Sequence, residues 1–268
     1  MMRPILLFAA NPSPMTGHGN NTYLLPSDAG AAALIDAGVG GSEHLADLAA
    51  ALERHRLHLT DVFVTHGHAD HIGGAPALRA AYPDARFWKA PWPAPDARVP
   101  ALWRPLRDGD ELQFGEERLT TIATPGHSPD HVAFWHEPTR TMFTGDLILL
   151  GSSVMIHSSR GGNMSAYLRS LERVLSFEPS ILLPAHGPAV TNPRTLIVSY
   201  LEHRRQREAQ VVAALRAGHA TVQAIAESIY DGLDVALLPA ARENVSAHLE
   251  KLKADGVAVV DADRWRLI

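Results

Sequence analysis

Two kinds of hydrophobic pattern alternate along the first two thirds of the chain. Short apolar runs bounded by Pro, Gly or Asn predict β-strands, as in RPILLFA, NTYLLP, AAALIDAG, DVFVT, ELQF, RLTTIATPGH, HVAFWHE and TMFTGDLILL. Longer stretches with apolar residues three or four apart predict amphipathic helices, as in residues 42–56 and in NMSAYLRSLERVLSF, where Asn163 is suited to be the N-cap. Strands mixed with helices in this way predict an α/β fold in which stacked sheets are flanked by helices.

Two regions depart from this alternation. Residues 91–110 are rich in Pro, Trp and Asp, and we expect them to form a surface loop. From about residue 195 onward the pattern predicts three helices and then a small hairpin around residues 261–263, which is the order of a winged helix. The sequence therefore predicts a large α/β domain at residues 1–194 and a small winged-helix-like domain at residues 195–268.

Composition narrows the classes of function. The 268 residues include 24 Lys or Arg against 29 Asp or Glu, so the basic excess of a duplex DNA-binding protein is missing. Residues 200–268 alone carry nine basic and ten acidic side chains. The chain has no cysteine, which excludes disulfides, thiolate metal ligands and a cysteine nucleophile. No membrane span or signal peptide is recognisable, and we expect a cytoplasmic protein that binds no membrane.

One loop concentrates titratable side chains. The stretch THGHADHIGG, residues 65–74, follows a predicted buried strand and contains His66, His68, Asp70 and His71. Neutral imidazoles and carboxylates are ligands for zinc and similar metals, and one such loop could serve two ions. A solvated loop that merely titrates with pH is the alternative.

Three further residues of the same kind follow predicted strands elsewhere. His127 lies in TPGHSPDH, Asp146 in FTGD and His186 in LLPAHG, each beside a glycine. Loops that leave one edge of a sheet can meet, so these side chains can converge on the first loop. Their presence favours a metal site over a solvated loop.

Taken together, these motifs resemble the metallo-β-lactamase superfamily, whose signature is His-x-His-x-Asp-His with His, Asp and His downstream. The resemblance implies an αββα sandwich with the site at one edge. It also implies that His66, His68 and His127 hold a first metal, that Asp70, His71 and His186 hold a second, and that Asp146 bridges them. The expected cofactors are two divalent ions, Zn²⁺ in the first place and Mn²⁺ or Fe²⁺ as alternatives.

Such a pair of ions activates a bridging hydroxide, which attacks a carbonyl or phosphoryl centre, and Asp70 and Asp146 are the expected catalytic carboxylates. The ligand set also separates the chain from β-lactamases. One lactamase subclass needs a cysteine at the position of Asp146, and another lacks the bridging aspartate. Five histidines with two aspartates resemble glyoxalase II and RNase Z instead.

Three stretches narrow the resemblance further: NPSPMTGHGNNTYLL, TPGHSPDHVAFW and SYLEHRRQREAQVV. They are similar to the β-lactamase-like protein 2 family, which implies a phosphodiesterase or endoribonuclease acting on single-stranded RNA. His18 and Asn20 depart from the usual first loop of that family. A thioester or lactone hydrolase of the glyoxalase II type is the alternative, and a non-catalytic metal- or nucleic-acid-binding protein is the third reading.

Several other polar residues are candidates for supporting roles. His131 is predicted to orient the site from outside, to contact the substrate or to be a hydrogen-bonded structural histidine, and Thr65 is ambiguous in the same way. His157 and Arg160 lie in a Gly-rich loop that could border the substrate.

A basic cluster lies on the first helix of the C-terminal region. His203, Arg204 and Arg207 are three and four residues apart, and could bind a substrate phosphate or carboxylate. A solvated face that pairs with Glu202 and Glu208 is the alternative.

Overall fold

The computed structural model describes residues 2–12, 17, 19–151 and 153–268, and His18 lies outside them. Six strands form the first sheet, in the order β1-β2-β3-β4-β5-β6. They are β1 (Ile5–Phe8), β2 (Asn21–Pro26), β3 (Ala31–Ile35), β4 (His58–Phe63), β5 (Arg86–Lys89) and β6 (Arg104–Pro105). Strands β1 to β3 pair antiparallel and β3 to β6 pair parallel.

Five strands form the second sheet, in the order β11-β10-β9-β8-β7. They are β7 (Glu111–Phe114), β8 (Glu117–Ala123), β9 (Val132–His136), β10 (Thr141–Gly145) and β11 (Ile181–Pro184). The pairing is antiparallel except between β10 and β11, which run parallel because a crossover helix joins them.

The described residues also form eight α-helices: α1 (Ser42–His55), α2 (Ala69–Ile72), α3 (Ala75–Ala81), α4 (Pro93–Arg98), α5 (Met164–Ser176), α6 (Pro193–Arg216), α7 (Val222–Ile229) and α8 (Leu238–Ala254). Asn163 caps α5 as predicted, its Oδ1 accepting the N–H of Ala166 at 2.8 Å. The prediction of a loop at residues 91–110 was wrong, because α4 and β6 lie there. Pro93 suits a first helical turn, and Asp96 accepts the N–H of Trp92 at 2.8 Å.

Three apolar layers hold the sandwich together. Side chains of both sheets, including Leu25, Phe63, Phe134 and Phe143, meet in the central layer. The other face of the first sheet packs against α1 and α3, and the other face of the second sheet packs against α5 and the start of α6. The predicted αββα sandwich is therefore confirmed.

The C-terminal region forms a fourth cluster around Val211, Ile225, Leu249 and Trp265. Helices α6 to α8 and the hairpin β12 (Ala258–Asp261) with β13 (Arg264–Leu267) make the predicted winged helix. The boundary at residue 194 stays a prediction, since α6 contributes both to the apolar layer on the outer face of the second sheet and to the C-terminal cluster. Within the described residues, no helix combines the length and apolarity needed to cross a bilayer.

Candidate metal centre

The candidate ligands leave the ends of four strands at one edge of the sandwich. The loop after β4 carries His66 and His68, and the short helix α2 carries Asp70 and His71. The junction between α2 and α3 lies tightly against the loop after β3, because a Cβ on Gly74 would lie 2.0 Å from the carbonyl oxygen of Ala37.

The remaining candidate ligands come from the second sheet. His127 follows β8, Asp146 follows β10 and His186 follows β11. The turn before Asp146 needs glycine, since Gly145 has a φ of +50° and its Cβ would lie 2.8 Å from Cβ of Thr65. The fold thus brings all seven predicted ligands together, in the two groups that the resemblance implies.

Three imidazole nitrogens converge in the first group. Nδ1 of His68 lies 2.9 Å from Nε2 of His66 and 2.9 Å from Nε2 of His127. The second group contains one carboxylate and two imidazoles. Oδ2 of Asp70 lies 3.6 Å from Nε2 of His71 and 3.5 Å from Nε2 of His186.

The carboxylate of Asp146 lies between the two groups. Its Oδ2 faces the first group, 3.5 Å from Nε2 of His127 and 3.9 Å from Nε2 of His66. Its Oδ1 faces the second group, 3.2 Å from Nε2 of His186 and 3.5 Å from Nε2 of His71. One oxygen is therefore available to each group.

Hydrogen bonds on the outer side of three rings decide which nitrogens face inward as acceptors. Nδ1 of His127 donates to the carbonyl oxygen of Met155 at 2.9 Å, and Nδ1 of His71 donates to Asp36 at 2.8 Å. The Thr65 hydroxyl donates to Asp36, so it accepts from Nδ1 of His66 at 3.1 Å.

With Nδ1 protonated, His66 and His127 each direct an Nε2 lone pair inward, and His71 does so once its Nε2 proton is replaced by a cation. His68 can donate to only one of the two Nε2 atoms that face it, so lone pairs are left pointing at each other. A bound cation resolves this conflict, and the residues present therefore fit a metal.

The electrostatics of the site agree with this fit. Burial and the neighbouring histidines lower the pKa of His66 and bring that of His68 to about 3, so both rings are neutral at pH 7. Burial alone would raise the pKa of Asp146, but His71 and His186 hold it well below its ordinary range. Neutral nitrogens and an ionised oxygen are the states in which these groups bind metals.

In the second group, carboxylates raise the pKa values of the histidines, whereas burial lowers them. Burial lowers the pKa of His186, but Asp146 and Asp70 raise it to about 9. Burial likewise lowers the pKa of His71, yet Asp36, Asp146 and Asp70 bring it well above its ordinary value. A cation that binds this group replaces protons.

Two residues that support the ligands were not identified as such from the sequence. Buried Asp36 accepts from the backbone N–H of Thr65 at 2.8 Å as well as from the ring of His71. Asn20 donates to Oδ2 of Asp70 at 3.0 Å, and its own backbone N–H is held by Asn11. Asp36 follows an apolar strand and precedes Ala-Gly, a signal close to the one that identified Asp146.

Another support joins the two sheets. The side-chain amide of Asn21, in β2, donates to the carbonyl oxygens of Pro184 at 2.9 Å and Gly187 at 2.8 Å. These two residues flank the loop that carries His186, so a strand of the first sheet fixes a ligand of the second.

His131 is a buried partner of the site rather than a ligand in either group. Its Nε2 accepts the backbone N–H of Asp146 at 3.1 Å, and its Nδ1 donates to the hydroxyl of Thr124 at 2.8 Å. It therefore contacts a candidate ligand from outside both groups, which fits the prediction of a residue that orients the site from outside. Thr65 has a similar role through His66 and Asp36.

The three residues of the basic cluster on α6 differ in their exposure to solvent. Arg204 is buried, and its guanidinium donates to Ser153 at 2.9 Å, to the carbonyl oxygen of Val154 and to Asn244 at 3.3 Å. The Arg204 guanidinium, a candidate to bind a substrate phosphate or carboxylate, is therefore engaged by other residues of the protein. A substrate role for exposed His203, and for Arg207, which lies over the Tyr230 ring, stays a prediction.

Comparison with known proteins agrees with the fold. Residues 15–186 match the family model of the metallo-beta-lactamase superfamily, and residues 221–265 match that of the beta-lactamase associated winged helix domain. A beta-lactamase-like protein 2 homolog from Drosophila melanogaster is 31% identical over 94% of this chain and 88% of its own length. An atrochrysone carboxyl ACP thioesterase, nsrC, from Aspergillus novofumigatus is 30% identical over 97% of this chain and 81% of its own.

Solved structures are similar as well. A beta-lactamase domain protein from Burkholderia ambifaria superposes with a TM-score of 0.79 at 24% identity, covering all of this chain and 91% of its own. A protein solved in a di-iron-bound form superposes with a TM-score of 0.58 at 29% identity, covering 74% of this chain and 98% of its own.

Proposed function

The chain belongs to the metallo-beta-lactamase superfamily and is a hydrolase of that family, and from this premise we propose that it uses two divalent metal ions to hydrolyse a thioester. The use of two ions is supported by the position of Asp146, which has one carboxylate oxygen toward each ligand group. His66, His68 and His127 would hold one ion, and Asp70, His71 and His186 the other. When bound, the two ions acidify a water molecule and polarise the carbonyl group that it attacks.

The protein's own side chains supply positioning and charge. His131 holds Asp146 from outside the site, and Asp36 holds His71 in the same way. These candidate ligands therefore need little rearrangement when the substrate binds. The half-buried Trp92 has its ring 6.0 Å from the ring of His68 and offers an apolar surface beside the ligands.

The state of the carboxylates favours a thioester. Hydrogen bonds and histidines lower the pKa of Asp70 despite its burial, and Asp146 is held ionised in the same way. Neither carboxyl group is therefore ready to protonate a leaving group. A thiolate leaves with little proton donation because the ordinary pKa of a thiol is about 8.5.

Surface charge gives less support to an RNA substrate. Proteins that bind single-stranded RNA present a cationic groove with aromatic side chains. Here the chain has a net charge of −5, and Arg204 is committed to contacts within the protein. Homology to a named thioesterase over 97% of the chain points in the same direction.

The test compares substrates and metal states on the full chain. We expect metal-loaded protein to hydrolyse S-lactoylglutathione or an acyl-CoA, to lose that activity in a chelator and to regain it with zinc or manganese. The His68→Ala variant should be inactive. His58→Ala, which changes an exposed histidine at the start of β4, the strand before the loop that carries His68, should keep full activity. Cleavage of an RNA oligomer without thioester turnover would replace the proposed substrate class by RNA.

A further inference from the structure

The C-terminal domain touches a loop that supports a candidate metal ligand. This loop, residues 153–160, is called here the bracing loop. Its residue Met155 accepts the ring Nδ1–H of His127 at 2.9 Å, the bond that directs the Nε2 lone pair of His127 into the site. The acceptor is a backbone carbonyl, so its position depends on whatever holds the loop.

Helix α8 of the winged helix holds one end of the bracing loop. Glu243 accepts three hydrogen bonds there: from the backbone N–H of Ser159 at 3.1 Å, from the Ser159 hydroxyl at 2.7 Å and from the Ser158 hydroxyl at 3.3 Å. Burial raises the pKa of Glu243, but these donors lower it below the ordinary glutamate value. Glu243 is therefore ionised at neutral pH and makes charge-assisted bonds, which are the stronger kind.

The other end of the bracing loop is held from α6. Arg204 donates to the side chain of Ser153 and to the backbone of Val154, and its other nitrogen reaches Asn244 of α8. The two anchors lie on either side of Met155. Both depend on helices that pack in the C-terminal cluster.

We propose that the winged-helix domain positions the metal ligand His127 through the bracing loop, with Glu243 as the positioning residue. This inference rests on the proposed metal-dependent function and assigns the C-terminal domain a task in it. Loss of Glu243 frees Ser158 and Ser159, the loop moves, and the His127 ring loses its fixed orientation. The first metal group then weakens while the second keeps its own supports, Asp36 and Asn20.

The experiment measures metal retention by the full chain rather than activity. Zinc-loaded protein is titrated with a chromophoric chelator, and the ions retained per chain are counted. For Glu243→Ala we expect one of the two ions to be lost at a roughly tenfold lower chelator concentration, at the lower end of the effect of removing an outer partner of a ligand. The other ion should be retained as in the wild type.

Three companion variants keep the test informative. Glu250→Ala removes an exposed glutamate of the same helix, 3.9 Å from Lys253, and should change nothing. Ser159→Ala removes one donor from an exposed site, carries little risk to folding, and should shift the same ion by a smaller factor. Glu243→Gln keeps an acceptor oxygen and should restore part of the affinity.

A second measurement follows the hydrogen bond from His127 to the Met155 carbonyl. In imidazole ¹⁵N–¹H spectra, the Nδ1–H of His127, assigned by its loss in His127→Gln, should exchange faster with water in Glu243→Ala and not in Glu250→Ala. Retention of both ions as in the wild type, or equal weakening of both, would overturn the inference and leave the proposed function intact. A wild-type protein that retains no ion would overturn both.

Discussion

The backbone N–H of Asp146 donates to Nε2 of His131 over 3.1 Å, and this histidine belongs to neither ligand group. Its other nitrogen donates to the hydroxyl of Thr124 at 2.8 Å, which fixes the tautomer that can accept from Asp146. Burial lowers the pKa of His131 well below the ordinary value, so the ring stays neutral and keeps its acceptor. The Asp146 residue is therefore held through its own backbone.

Replacing His131 with Phe should disturb Asp146 without removing a ligand. The ring volume is retained and the acceptor is lost, so we expect metal affinity and turnover to fall about 10–100-fold. His136→Phe is the matched control, because His136 is also buried and bonds to Glu117 at 2.9 Å and Thr139 at 2.6 Å, at the end of β9. It should lower the melting temperature and leave metal affinity unchanged. Equal metal affinity in the two variants would show that His131 is merely structural.

Replacing Asp146 with Ala should remove one oxygen from each ligand group. We expect the number of tightly held ions to fall from two to at most one, and turnover to be lost, because the remaining ion lacks its partner. Elemental analysis of dialysed protein measures the first effect and thioester hydrolysis the second. Asp84→Ala, on an exposed turn, is the control. Two ions retained in Asp146→Ala would contradict a bridging role.

Asp36 supports both ligand groups, since it holds the ring of His71 directly and that of His66 through Thr65. Asp36→Asn replaces one acceptor oxygen with a donor, so both ions should be lost at about 10–100-fold lower chelator concentration. This pattern differs from the single-ion loss expected for Glu243→Ala.

Asp61→Asn is the matched control for Asp36. Asp61 is equally buried in the first sheet but bonds to Arg86 at 2.6 Å and Trp88 at 2.8 Å. It should reduce stability and spare the metals. A variant of Asp36 that loses neither ion, or only one, would refute the shared support.

Acidification should loosen the contact between α6 and α8 at His248. This ring is fully buried, 3.6 Å from Glu208, and burial lowers its pKa despite that carboxylate, with Arg204 and Lys251 acting in the same direction as burial. A histidine with a lowered folded-state pKa binds fewer protons folded than unfolded, so stability falls as pH drops below the ordinary value of about 6.5.

The measurement compares melting temperatures at about pH 7.5 and pH 5.5, values on either side of the ordinary histidine pKa. Other buried histidines, such as His66 and His131 with lowered pKa values and His71 with a raised one, also change stability with pH in both proteins, so the comparison with His248→Gln isolates this one. We expect the wild type to lose more stability on acidification than His248→Gln. The same loss in both proteins would exclude a contribution from His248.

Much of the fold and the ligand set could be predicted from the sequence, because both depend on local pattern. Histidines and aspartates in loops after apolar strands indicated the candidate ligands from His66 to His186, the family resemblance divided them into two groups, and the change to helices near residue 195 indicated the winged helix. The region at residues 91–110 was mistaken for a loop because Pro and Trp suggested irregular structure. There Pro93 starts a helix, and Asp96 in its first turn accepts the backbone N–H of Trp92.

The supporting residues were harder to predict, because their partners are distant along the chain. Asn20 reaches Asp70 across 50 positions, and Arg204 reaches Ser153 across 51. A run such as HRRQR indicates charge on a helix but not which arginine turns inward. Only the packing of α6 on α5 and α8 makes Arg204 a buried anchor rather than a substrate-binding group.

The amide of Asn21 has a consequence for protein engineering. It spans the interface between the sheets and bonds to both ends of the turn that presents His186. A designer who transplants the seven ligands onto another scaffold must therefore bring this amide along, with the strand that carries it. Without it, the turn that carries the last histidine would lose two of the hydrogen bonds that tie it to the opposite sheet.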